Sequence, residues 1–162
     1  MNRSPNEYGE LWRRSSRVLA NTEVSTIEKH WSAWESRCEV EQLRSPEVGM
    51  VMVQGRAGGV GDRFNLGEAT VSRATVAVAL DGHSKTVGNA YVLGSDVRHA
   101  ELIAIFNALL VGEGQHRVLS EVVEPLERDL AKKNAEKHAT AQSTLVEFFT
   151  VARESQFEDE ED

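Results

Sequence analysis

Two clusters in this 162-residue chain combine residue types and spacing that could do chemistry. The first is Gly55-Arg-Ala-Gly-Gly-Val-Gly61, with Arg63 just beyond it and Arg73 further along. Glycines at 58, 59 and 61 permit positive φ, so backbone amides can converge on an anion or a neighbouring backbone can come close. Arg56, Arg63 and Arg73 add guanidiniums, whose planar forks suit phosphate or phosphonate oxygens. Each arginine can equally pair with a carboxylate such as Asp62 or Glu68, and the loop can equally be a tight structural connection. No Lys-Ser or Lys-Thr follows the last glycine, which excludes the Walker loop. A strand-like segment follows where the dinucleotide fingerprint needs a helix. The second cluster is His99-Ala-Glu101, placed to open a helix. A zinc deaminase site begins this way but also needs a downstream Pro-Cys-x-x-Cys. No cysteine follows Cys38, so that chemistry is ruled out. His99 and Glu101 remain candidate catalytic groups, an imidazole to carry a proton and a carboxylate. They can also serve to cap, to hydrogen-bond or to face a partner.

The rest of the composition narrows the setting. The net charge is −8, and about −3 without the all-acidic run Glu158 to Asp162. Neither value suits a phosphate-tracking nucleic-acid surface. A single cysteine cannot make an internal disulfide, a thiolate zinc site or an iron–sulfur cluster within the chain. His30, His83, His116 and His138 lack metal-ligand spacing, so no metal site is expected. The strictly apolar runs Val76–Leu80 and Leu102–Phe106 are far shorter than a membrane helix requires. The polar first twenty residues carry no secretory pattern, and a soluble cytoplasmic protein is expected.

These clusters must be positioned by a small α+β domain. Tyr8, Leu11, Trp12, Val18 and Leu19 share a helical face. Ser25-Thr-Ile-Glu28 reads as a capping box opening a second helix with Ile27, Trp31 and Trp34 on one stripe. Together they predict a helical hairpin over 7–36, its tryptophans serving as core or interface anchors. Antiparallel strands are expected within 39–93: Val48–Val53, bounded upstream by Ser45-Pro46, then Ala69–Leu80, an Asp81-Gly82 turn, and Thr86–Leu93. A helix over 96–111 follows, capped by Ser95 or Asp96, with an apolar stripe of Ile103, Phe106, Leu109 and Leu110. Pro125 opens a long last helix over 126–153, solvated until Leu145, Val146, Phe148 and Phe149. One domain, 1–156, is expected, with a disordered acidic tail over 157–162.

Three blocks together resemble the PhnG family, the G subunit of carbon–phosphorus lyase. They are residues 49–74 (GMVMVQGRAGGVGDRFNLGEATVSRA), residues 91–101 (YVLGSDVRHAE) and residues 146–153 (VEFFTVAR). The resemblance runs from the helical hairpin to Arg153 and leaves out the acidic tail. It implies a part in bacterial phosphonate use, as a subunit of the alpha-D-ribose 1-methylphosphonate 5-triphosphate synthase. In that pathway an alkylphosphonate displaces adenine from ATP, and the G subunit works with the H, I and L subunits. The nucleosidase chemistry is placed on the I subunit, the closest expected partner. The J subunit later breaks the C–P bond with an iron–sulfur cluster and S-adenosylmethionine. No cofactor is then expected on this chain alone, and its contribution is mainly to assembly. Arg56, Gly58, Gly59, Gly61, Arg63 and Arg73 are the candidates for anion or subunit contact. A reading from a different class is a stand-alone anion-binding or hydrolytic enzyme built on the glycine loop with His99 and Glu101.

Overall fold

The computed structural model describes residues 5–143. The expected end of the last helix, its Phe148-Phe149 pair and the acidic tail lie outside them. Helix α1 (Pro5–Ala20) and helix α2 (Val24–Ser32) lead through a short turn of tight helix into strand β1 (Cys38–Arg56). A tight turn at Ala57–Gly59 returns the chain as β2 (Arg63–Leu80), followed by β3 (Thr86–Leu93) and α3 (Val97–Val111). Helix α4 (Gln115–Val118) passes through a wide helical turn at Leu119–Val123 into α5 (Glu124–Ser143). The sheet is antiparallel throughout, in the order β1-β2-β3. The fold is α+β, with helices before and after the sheet.

Helix α3 is the axis of the core. The Asp96 side chain accepts the His99 backbone N–H at 3.0 Å, an N-cap that removes one orphan donor from the first turn. The expected apolar stripe is wider in the structure, because residues 102–110 are buried on every side. The sheet lies against one flank, through Ala74, Val76 and Val78 of β2 and Ala90 and Val92 of β3. Val18 and Leu19 of α1, Ile27 and Trp31 of α2, and Val122 and Leu126 from the last helical stretch close the others. A helix enclosed on all sides needs no polar face, which explains its weak amphipathic pattern. Helices α1 and α2 both pack on α3, so the hairpin is held by what it covers. Gly88 sets the closeness of the sheet: a Cβ there would stand 2.0 Å from the Ala104 carbonyl oxygen. On either side, Thr86 Oγ1 donates to the Ala108 carbonyl at 2.8 Å and Asn107 Nδ2 to that of Asn89 at 2.9 Å.

Three expectations change. The Ser25 box does not form: Glu23 holds the N-cap position and makes no side-chain cap bond, so Ser25 sits inside the first turn. Ser45-Pro46 does not bound a strand; β1 runs through it, with register shifts between Gln42 and Arg44 and between Arg44 and Glu47. Proline's missing N–H is tolerated at such a bulge on an edge strand. The last helical stretch begins at Gln115, before Pro125. Trp31 and Trp34 are buried, and Trp31 meets Phe106 edge-on with ring centroids 6.2 Å apart. The guanidiniums of Arg37 and Arg117 lie over the Trp34 ring, 5.9 and 5.0 Å from its centroid. The large exposed apolar side chains are concentrated in the strands instead.

Candidate functional site

Strand β3 pairs with β2 only over Val71–Val78, whereas β1 and β2 continue pairing to Arg56 and Arg63. The excess projects as a two-stranded arm, β1 residues 50–56 and β2 residues 63–70, reaching roughly 25 Å at about 3.3 Å per residue. The glycine loop is its tip. Gly58 and Gly59 take φ of 58° and 80°, the left-handed region that a side chain resists. No atom comes within 4 Å of where their Cβ would stand, so the turn's backbone is open to an incoming group. Gly61 differs: its N–H donates to the Ala57 carbonyl at 3.0 Å, and a Cβ would stand 2.8 Å from that oxygen.

Arg56 and Arg63 are direct cross-strand partners at the base of this turn and therefore share a face. Among the described residues, no carboxylate lies within ion-pair distance of either. Arg56 has one long contact, Nη1 to the Gly61 carbonyl at 3.5 Å. Two like charges placed opposite each other are mildly unfavourable until an anion joins them. Arg73 is different. It lies within the three-stranded sheet, where its Nε donates to Glu47 at 2.7 Å. The Tyr91 phenol oxygen and Glu47 together raise its already high pKa. The three arginines therefore do not form one cluster.

His99 and Glu101 stand at the other end of the ribbon. The His99 ring Nε2 lies 3.1 Å from the Leu19 carbonyl oxygen, as its donor, tying the start of α3 to the end of α1. The Glu101 carboxylate accepts from Arg98 Nη1 and from Gln42 Nε2, each at 2.7 Å, tying the same turn to β1. Gln42 is separated along β1 from Arg56 by a distance on the order of 40 Å. Within one chain the loop and the His99/Glu101 pair do not share a cleft, which removes the geometry on which a stand-alone hydrolase built from both would rest. Among the described residues, no group of three His, Cys, Asp or Glu side chains is arranged to hold a metal ion.

Residue-by-residue reading of motifs missed the arm itself. Its inner face, the side on which Ser72 Oγ donates to the Asp96 carbonyl at 2.9 Å, carries Val48, Met50 and Met52 opposite Ser72, Thr70 and Glu68. The register shift between Val53 and Gln54 turns Phe64 and Leu66 to the outer face, beside Val51, Val53 and Gly55. All of these large apolar side chains are exposed, Met50 at 67% and Leu66 at 62%. The signal was available: Val48-Gly-Met-Val-Met-Val53 is apolar at every position but its glycine, the pattern of a strand covered on both faces.

The family described as phosphonate metabolism protein PhnG matches residues 12–154, and the chain belongs to it. A curated relative from Rhizobium meliloti (strain 1021) is 38% identical over 141 residues, covering 87% of this chain and 88% of that one. It is named alpha-D-ribose 1-methylphosphonate 5-triphosphate synthase subunit PhnG. No helix among the described residues is long and apolar enough to cross a membrane.

Proposed function

We propose that this chain is a non-autonomous subunit of a cytoplasmic carbon–phosphorus lyase system and supports its first committed step. In that step a phosphonate oxygen forms a bond to ribose C1 of ATP, the N-glycosidic bond breaks, and adenine leaves. The product is ribose 1-alkylphosphonate 5-triphosphate, so the step is a transfer that resembles a nucleosidase reaction with phosphonate in place of water. The observation that carries this reading is the likeness to a synthase subunit over nearly the whole of both chains. The side chains support it. His99 and Glu101, the best acid–base candidates in the sequence, are spent on joining α3 to α1 and β1. Among the described residues, no carboxylate pairs with Arg56 or Arg63 at the end of the apolar arm.

Its partners in this reading are the H, I and L subunits for adenine displacement, the I subunit being the closest and carrying the reaction centre. The J subunit, with its iron–sulfur cluster and S-adenosylmethionine, acts later on the C–P bond. ATP enters as substrate and not as a cofactor of this chain. Reconstitution tests the reading. Adenine release from ATP and methylphosphonate by the H, I and L subunits should fall to background without this chain and return when it is added. Full release without it would refute the proposal. Release by this chain alone would establish the stand-alone enzyme instead.

A further inference from the structure

The arm is built against its own stability unless something encloses it. A two-stranded ribbon is marginal in water, and this one exposes large apolar side chains along both faces. In the body, the inner side of the sheet is covered by α3; along the arm no described residue covers that side. The outer face carries Val51 and Val53 with Phe64 and Leu66, which the register shift between Val53 and Gln54 brings there. Both strand edges are also free beyond residue 71, leaving unpaired backbone donors and acceptors on each side.

The area argues for what covers it. Val48, Met50 and Met52 on the inner face expose roughly 300 Å², and Val51, Val53, Phe64 and Leu66 on the outer face about as much, taking about 150–200 Å² for each when fully exposed. Two copies meeting through one such face would bury about 600 Å² in all, below the range for specific interfaces. A groove that receives both faces and both edges buries about twice as much per arm. Methionine suits such a groove, because its unbranched thioether fills irregular gaps. The tip then comes to rest inside the partner, where the opposed pair Arg56 and Arg63 must meet negative charge. A multiply charged phosphoryl group answers two adjacent guanidiniums better than one carboxylate does.

We propose that the arm is enclosed by another subunit of the synthase, which packs apolar side chains on Met50 and Met52 of one face and on Phe64 and Leu66 of the other. At its tip, Arg56 and Arg63 hold phosphoryl oxygens of the substrate bound in that subunit. This rests on the reading of the chain as a synthase subunit. It makes the chain a contributor of binding groups to a centre it does not itself contain.

Three variants of the full chain test it in the complex. In the first, residues 50–70 are replaced by Asn-Gly, which joins the register partners Gly49 and Val71 by a two-residue turn. No arm residue belongs to the buried core, so this variant should keep its helical circular dichroism and cooperative unfolding. Its capture of the H, I and L subunits should weaken by 100-fold or more. The milder M52E/L66E, which keeps the arm, should weaken capture at least tenfold. The third, R56Q/R63Q, should assemble normally and raise KM for ATP or methylphosphonate by tenfold or more, reading the phosphate role directly. Normal capture by the arm-deleted chain overturns the docking role. Lost assembly in R56Q/R63Q, or unchanged KM, overturns phosphoryl binding, the former assigning the arginines to a partner carboxylate. A wild-type dimer that arm deletion dissolves, with capture of the other subunits intact, makes a second copy the occupant and refutes the proposal. If the complex needs this chain but tolerates arm deletion, only this inference fails; if it never needs the chain, the underlying reading fails.

Discussion

Replacing Gly88 with alanine should be among the most damaging single-methyl additions available in this fold. The new Cβ would stand 2.0 Å from the Ala104 carbonyl oxygen, 2.4 Å from the Ala108 nitrogen and 2.8 Å from the Ala108 Cβ. Two of these are backbone atoms of α3, so no side-chain rotation relieves the clash. The strand must retreat from the helix by about an ångström or more to restore ordinary contact. That retreat loosens the hydrogen bonds from Thr86 and Asn107 that pin the two elements together, and it opens a gap along the α3 flank of the core. Overpacking a well-filled interior costs about 1–3 kcal/mol, and the backbone contacts put this case at the upper end, about 3 kcal/mol. With an m-value of about 1–3 kcal/mol/M in urea, the midpoint should fall by roughly 1–3 M with m unchanged. Gly49→Ala is the matched control. Nothing lies within 4 Å of its Cβ position and its φ is not positive, so the change should be neutral or stabilise by up to about 1 kcal/mol. Equal midpoints for Gly88→Ala and Gly49→Ala would refute the close approach of β3 to α3.

Other consequences can be checked on the same preparations. His99→Ala removes the ring's bond to the Leu19 carbonyl and should cost about 1–2 kcal/mol by urea unfolding, while adenine release by the assembled complex stays within twofold. A fall of 100-fold in turnover with normal assembly would instead make His99 a proton carrier. Trp34→Ala deletes a buried ring and the support for two guanidiniums, so thermal and urea unfolding should both report a loss of about 3–5 kcal/mol. The Arg14 guanidinium, hydrogen-bonded to Glu127 with Nε 3.1 Å from each carboxylate oxygen, holds that carboxyl below its ordinary pKa of 4.5. The folded state therefore binds fewer protons than the unfolded one. The contribution is present above pH 4.5 and is lost as pH falls through the lowered folded value. Arg14→Gln should flatten the acid limb of stability below pH 4.5, and an unchanged limb would show the pair to be unimportant.

Much of this architecture is written in short-range signals. The Asp81-Gly82 turn appears with φ of 50° and 76°, Asp96 caps α3, and the β-branched stretches become strands because turns, caps and pleats depend on a few adjacent residues. The long ordered blocks around the glycine loop and His99 carried the family, since their content goes beyond periodicity. What surrounds each element is a different matter. That α3 is buried all round, that two guanidiniums lie over Trp34, and that Pro46 occupies a bulge were decided by residues distant in sequence. The same holds for the candidate site. The motif residues were legible one by one, but β1 separates the loop from His99 and Glu101, and only pairing shows that β3 stops short of the tip. A strand's length past its neighbour is set by non-local register. A local pattern therefore names a strand as apolar on both faces, while the tertiary structure alone shows that the described residues leave those faces exposed.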